Sequence, residues 1–316
     1  MVASGRSRDL LGKDLRDRIV GEVRQATDEL KAAGWNAKLI SVTVGDTSAV
    51  ELYVRNQSRW AEKAGITFEE RNFPETITQE ELDASLRALN ADPRVTGVII
   101  QRPAPKHISL RALQTAVGPM KDVEGMHPTS IGNIVYNQLD LAPCTAAASV
   151  ELLKSTGLTL EGLEVVVVGH SEIVGKPIAF MLMSAGATVT VCHHMTRSVA
   201  AHARRADALF VAVGRPKLID ASMVKPGAAV IDIGINAVTD AEGNHKVVGD
   251  VDYDSVKDVA SWITPVPGGV GPVTVAMLLK NTVTALRRQK AVYEAAFAAD
   301  RPIPTGVHSA LTTPAE

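Results

Sequence analysis

Tyr53 and Gln57 stand four residues apart in a helix-patterned segment, so both side chains leave one face of the helix. Tyr53 brings an aromatic face and a phenolic hydroxyl. Gln57 brings an amide, which orients a partner by hydrogen bonds but cannot titrate. Gln101 follows the apolar run Val95 to Ile100 and precedes Arg102-Pro103-Ala104-Pro105, whose prolines end a strand. It is therefore expected at a strand's carboxyl end, where open α/β sheets bind ligands. Glu124 adds a carboxylate from the turn-rich run Lys121 to Pro128.

A second constellation lies between Leu163 and Gly186. Four valines, Val165 to Val168, read as a buried parallel strand, and Gly169 frees the backbone to turn into a helix that runs on from Gly175. Such a corner aims unpaired N–H groups at whatever sits above the strand, commonly a phosphate. The spacing is not the standard G-x-G-x-x-G, because His170, Ser171 and Glu172 stand where the middle glycine would be. By itself the corner also fits any α/β strand–turn–helix. His170, His194 and Arg197 are cationic candidates for a phosphate, and Val174 and Gly175 open the helix. Gly214 and Gly234-Ile235 follow later strands and let backbone approach a ligand at the same sheet edge. His193-His194 beside Cys192 is read as no metal site, since neighbours on a strand point to opposite faces.

The elements that must position these groups follow from periodicity. Apolar residues recur along Leu11, Leu15, Ile19, Val23, Ala26 and Leu30 as a helical stripe, and Lys38 to Val44 reads as a strand. Phe68 to Phe73 is a further strand candidate. Thr78-x-x-Glu81 is a capping box ahead of Leu82, Leu86 and Leu89. Pro143-Cys144-Thr145 opens a helix that ends at Gly157. Strands are expected over Ala187 to Cys192, Ala208 to Val213 and Ala229 to Ile233, with a helix from Ser198 to Arg205. The dense run Pro265 to Pro272 is a shaped loop, followed by a long apolar helix.

Strand and helix alternate throughout, which predicts an α/β protein. At 316 residues the length fits two units. The expected division is an N-terminal α/β unit over 1–145, completed by helix 273–296, and a Rossmann-like unit over 146–272. Residues 301–316 are expected to be a mobile tail. A net charge of −2 offers no general attraction to nucleic acid or an anionic membrane, so neither is an expected partner. Two cysteines are too few for a disulfide framework, and no run of about 20 apolar residues occurs. The expectation is a cytoplasmic protein.

With these pieces assembled, the chain resembles the bifunctional methylenetetrahydrofolate dehydrogenase/methenyltetrahydrofolate cyclohydrolase family, the FolD type, from about Leu10 to Ala291. The matching strings include Val44-Gly45-Asp46, Tyr53-Val54, Gln101-x-Pro103-x-Pro105, Lys121-Asp122-Val123, Pro143-Cys144-Thr145, Gly169-x-Ser171-x-Ile173-Val174-Gly175-x-Pro177, Asp232-x-Gly234-Ile235-Asn236, Gly249-Asp250-Val251 and Thr264 through Pro272. The resemblance implies two α/β domains facing across a cleft, a C-terminal helix packed back on the first, and a homodimer. It places a tetrahydrofolate-type molecule against Tyr53, Gln101 and Glu124, with Pro265, Gly268 and Gly269 closing the cleft wall. It places NADP, with NAD as the alternative, on Gly169, His170, Ser171, Val174, Gly175, His194, Arg197, Gly214 and Ile235. The catalytic set it implies is Tyr53, Gln57, Gln101 and Glu124.

Several departures bear on chemistry. The family's Y-x-x-x-K ends here in Gln57, and the second Asp of its D-V-D-G is Glu124. Arg102 and Ala104 replace leucines, Ala146 to Ala148 interrupt a Pro/Gly pattern, and His170 and His194 are unusual in the cofactor loops. Glu124 could instead form a structural ion pair with Arg102. Loss of the lysine leads to the expectation of a dehydrogenase whose cyclohydrolase step is weakened or lost. The alternatives are a dehydrogenase of another pterin-like or small substrate, and a silent folate- or nucleotide-binding paralogue.

Overall fold

Two parallel sheets carry the molecule, and their strands are joined by crossover connections, most of them helical, as parallel pairing requires. The computed structural model describes residues 8–48, 50–239 and 243–297. The expected tail, 301–316, lies outside the described residues.

The chain opens with β1 (Arg8–Asp9) and α1 (Gly12–Ala32), which buries the stripe from Leu15 to Leu30. Then come β2 (Lys38–Val44), α2 (Glu51–Lys63), β3 (Thr67–Phe73), α3 (Gln79–Ala91) and β4 (Gly97–Ile100). β3, β2 and β4 form a parallel three-stranded sheet with β2 in the centre. α3 starts where the capping box says: the Thr78 hydroxyl accepts the Glu81 N–H, and the Glu81 carboxylate accepts the Thr78 N–H at 2.9 Å. Two short helices follow, α4 (Leu110–Ala116) and α5 (Pro128–Val135), and then α6 (Cys144–Ser155).

The second sheet contains β5 (Glu164–Val168), β6 (Thr188–Cys192), β7 (Ala208–Val211) and β8 (Ala229–Asp232), linked by α7 (Gly175–Ser184) and α8 (Val199–Ala203). An antiparallel hairpin of β9 (Asn236–Thr239) and β10 (His245–Val248) stands apart from it. α9 (Tyr253–Val256) and β11 (Trp262–Ile263) lead to α10 (Val270–Phe297). The order is β1-β11-β8-β7-β5-β6, all parallel. Between β5 and β7 the winding reverses, which opens a crevice at the carboxyl ends of those two strands.

The sheet is a doubly wound, Rossmann-like one, as its alternation predicts. One detail differs from the expected division at residue 145: Arg8 and Asp9 extend this second sheet, with Arg8 N–H donating to Ser261 O at 2.9 Å. α10 packs against α1 and α6, and its buried Val273, Ala276, Leu279 and Leu286 join the main core. Among the described residues, no helix is long and apolar enough to cross a membrane.

Candidate active site

α2 holds the first pair of functional side chains. Gln57 is 2% exposed and Gln101, just past β4, is 6% exposed. The Gln101 N–H extends the ladder to Val42 O at 2.9 Å, which fixes its backbone. Its side-chain Nε2 donates to Gln57 Oε1 at 2.7 Å and to Ser41 Oγ at 3.0 Å. Both hydrogens of that amide are thus used, and Gln101 Oε1 remains free to accept from a ligand.

Glu124 is held by a built loop. Lys121 Nζ donates to the carbonyls of Leu89, at 3.0 Å, and Asp92. The Asp122 carboxylate accepts from Met126 N, His127 N and Ser130 Oγ at 3.1, 2.8 and 2.6 Å. Gly125 turns with φ +70°, and a Cβ there would lie 2.4 Å from the Ala142 carbonyl carbon. So fixed, Glu124 Oε2 accepts the Ile100 N–H at 3.0 Å. Burial pushes its pKa up to about 7, against the pull of the Ile100 N–H and the Arg102 charge; Asp122 nearby pushes it further up. Glu124 and Arg102 form no ion pair, because the guanidinium turns away and donates to Met126 Sδ at 2.8 Å.

Tyr53 joins two cavities. Its ring is open, with 45% of the residue exposed, while its hydroxyl end faces a small enclosed space. Burial of that end raises the phenol pKa to about 12, helped by Cys144 and Glu124, with the Gln57 amide pulling the other way. Tyr53 is therefore a hydrogen-bond donor at any working pH. The small cavity, about 80 Å³, is lined by Gln57, Glu124, Cys144 and, from across the cleft, Ile173 and Val174. The larger, about 560 Å³, runs from Tyr53 and Trp60 to Ile235, Pro265, Gly268 and Gly269. Folate-side and cofactor-side candidates thus share one cleft.

The corner after β5 has the expected shape. Gly169 adopts φ +129°, and a Cβ there would meet Ala212 O at 2.2 Å; one on Gly175 would meet Gly169 O at 2.0 Å. Both glycines are required for close packing of strand, turn and helix. The Asp250 carboxylate gathers the N–H groups of Val213, Gly214 and Arg215 at 2.6, 2.9 and 2.8 Å and Asn236 Nδ2 at 2.9 Å. Asp232 accepts from Gly234, Asp250 and Val251. Burial raises Asp232 to about 6, and those three N–H bonds limit the rise. These two carboxylates shape the cofactor-side loops. Within the sequence they stood out only as parts of glycine-bearing strings, since nothing local tells a loop-gathering Asp from a surface one. Ser41 and Asn281, which donates to Val123 O and Ala142 O, were likewise silent.

His170, His193 and His194 come together, with one ring nitrogen from each within 4.8 Å of the others. Strand alternation predicts that His193 and His194 point to opposite faces. β6 ends at Cys192, however, and both histidines lie in the turn beyond it, where alternation no longer holds. Ser171 and Arg197 are exposed on the same two loops, away from both cavities.

Comparison with known proteins agrees with this geometry. Residues 10–124 match the catalytic domain, and residues 143–290 the NAD(P)-binding domain, of tetrahydrofolate dehydrogenase/cyclohydrolase. Bifunctional protein FolD 2 of Mesorhizobium japonicum is 72% identical over 93% of this chain and 97% of its own length. The crystal structure of the bifunctional FolD enzyme of Campylobacter jejuni superposes with a TM-score of 0.85 at 40% identity, covering 89% of this chain and 99% of that one. The Trypanosoma brucei enzyme, solved with NADP cofactor and inhibitor, gives 0.84 at 34% identity over 90% and 98%. The chain belongs to the tetrahydrofolate dehydrogenase/cyclohydrolase family.

Proposed function

We propose that this protein oxidises 5,10-methylenetetrahydrofolate to 5,10-methenyltetrahydrofolate with NADP, and that hydrolysis of the methenyl product is weakened by Gln57. The observation that carries this proposal is the small cavity in which Tyr53, Gln57 and Glu124 face Ile173 and Val174 of the cofactor corner. NADP bound at that corner supplies the hydride acceptor. The chain's own residues hold the donor: Tyr53 offers a ring to stack a pterin, Glu124 a carboxylate and Gln101 Oε1 an acceptor. Alignment of donor and acceptor is the main requirement of hydride transfer. A neutral amide at position 57 also avoids setting an ammonium beside a developing cation.

Hydrolysis asks for more. Water must attack the methenyl carbon and protons must then move, for which a titratable group is worth about 10²–10⁴-fold. Gln57 cannot supply one. NADP is favoured over NAD by the cationic or polar candidates His170, His194, Ser171 and Arg197 around the corner. The homodimer belongs to the same proposal, supported by Val135 at the end of α5, Tyr136 just past it and Met183 on the neighbouring α7, which leave apolar surface exposed.

The test follows both half-reactions separately, NADPH formation and methenyl-tetrahydrofolate decay, with NADP and with NAD. Dehydrogenase turnover with NADP and slow hydrolysis are expected. Rapid hydrolysis by the wild-type chain would refute the weakening, and binding without turnover would refute the enzyme.

A further inference from the structure

His170, His193 and His194 reach one point from two loops, the turn after β5 and the turn after β6. One ring nitrogen of each lies within 4.8 Å of the others. The rings are splayed rather than stacked: their planes make angles of 53°, 71° and 57°, with centroids 4.8, 6.0 and 5.9 Å apart. Ligands that converge on one ion have this disposition. Bonds of about 2.0–2.1 Å to a tetrahedral zinc ion would bring the nitrogens to roughly 3.4 Å from one another, so closure asks for shifts of about 1 Å. His170 and His194 are exposed and His193 half-buried, so an ion can arrive from solvent.

Chemistry narrows the ligand. Guanidinium and ammonium groups can meet a phosphate but have no lone pair to give an ion, whereas imidazoles can serve either ligand. Three imidazoles offer lone pairs and suit Zn²⁺, Cu²⁺ or Ni²⁺. One local contact would change. His193 Nδ1 accepts the Met195 N–H at 3.2 Å, and coordination through Nε2 would move the ring proton to Nδ1 and release that long bond. The buried Cys192 thiol lies on the core side and is not part of the set.

We propose that His170, His193 and His194 form a three-imidazole site for a borderline divalent transition ion of the Zn²⁺ type, with the fourth position open to water. The site includes His170 and His194, which the proposed function turns toward NADP, so a bound ion and the dinucleotide would compete for these rings, and the metal titrations are made without cofactor.

The chelator-treated full chain is titrated with Co²⁺ alone, followed by its visible spectrum, and then with Zn²⁺ alone against a chromogenic chelator. One ion per chain is expected, with the intense visible bands of a four-coordinate nitrogen-ligated cobalt and none from thiolate. His170→Ala and His194→Ala should each weaken binding by at least about 10-fold, a loss that even outer-shell changes can cause at metal sites. His202→Ala and His245→Ala, elsewhere on the surface, should change nothing. Since His170 and His194 are exposed, thermal melts of those variants should match the wild type, which separates loss of the site from misfolding. Failure to bind either ion, equal binding by wild type and His194→Ala, or a cobalt–thiolate band would each overturn the proposal. So would binding of inorganic phosphate at these histidines with no metal binding.

Discussion

Gln101 Nε2 donates to Gln57 Oε1 at 2.7 Å, and the two amides lock each other beneath the substrate cleft. A lysine at position 57 can only donate. In its presence the Gln101 amide would have to turn over, presenting Oε1 to the ammonium and to the Ser41 hydroxyl. The amide pair is thus a matched substitute for a lysine–amide pair rather than a simple loss.

The variant Gln57→Lys therefore fits the pocket by one amide flip. Its cyclohydrolase rate should rise by an order of magnitude or more, within the ~10²–10⁴-fold range of general acid–base help, while dehydrogenase turnover changes less or falls. Parallel assays of the two half-reactions on wild type and variant decide it. No gain would put the defect elsewhere in the pocket.

Glu124, with its pKa raised to about 7, should make folate affinity depend on pH near neutrality. Only the ionised form accepts two hydrogen bonds from a pterin edge, so affinity should fall as pH drops from 8 to 6. Glu124→Gln should flatten that profile and lower affinity by about 1.5–3 kcal/mol at pH 8, with NADP affinity unchanged. Stability of the free protein runs the opposite way: the folded carboxyl holds a proton that the unfolded chain releases above its own lower pKa. The free protein should therefore lose stability as pH rises from about 4.5 to about 7, and the glutamine variant should lose less, keeping only the loss due to Asp232, which ends near pH 6. Denaturant melts across that window, and titration calorimetry for the ligand, give both readings.

Removing the Asp250 carboxylate leaves three loop N–H groups and the Asn236 amide without their acceptor. Asp250→Ala should cost at least about 3 kcal/mol of stability, since each charged hydrogen bond is worth about 1.5–3. It should also raise the KM for NADP more than that for folate. Urea unfolding and steady-state kinetics test the two halves; an equal rise in both KM values would show that Asp250 supports the whole cleft.

Gly175→Ala drives a methyl group to 2.0 Å from the Gly169 carbonyl oxygen, a clash backbone must absorb. Overpacking of this kind costs about 1–3 kcal/mol. NADP affinity should fall at least about 10-fold with folate affinity nearly kept, measured by fluorescence titration. Unchanged NADP binding would mean that the corner does not touch the cofactor.

The periodic parts of the fold were legible in the sequence. Lys38–Val44 is a strand with the expected ends, and the Thr78 capping box opens its helix, because both signals are local. The short helix Pro128–Val135 and the hairpin of β9 and β10 carry little apolar periodicity and went unread. Tyr53, Gln57, Gln101 and Glu124 are legible from residue type and family strings, and three separate segments, α2, the end of β4 and the Glu124 loop, bring them together. The proximity of His170, His193 and His194 is not legible in the sequence, because strand alternation holds only inside β6 and both later histidines lie past its end. Apart from the Gly234 N–H that Asp232 accepts locally, Ser41, Asp232, Asp250 and Asn281 act through partners 14 to 158 positions away, which no short window along the chain contains.

The two ends of the described chain are exchanged between the lobes: Arg8 and Asp9 hydrogen-bond into the second sheet, while α10, emerging beside the cofactor lobe, lies along α1 and α6. Neither lobe is a separable segment of sequence. Cutting the chain near residue 145 would strip one fragment of its longest packing helix and the other of an edge strand. Hinge motion across the cleft is tethered at both ends, so the gap between Tyr53 and Val174 is set by covalent bracing as well as by contact.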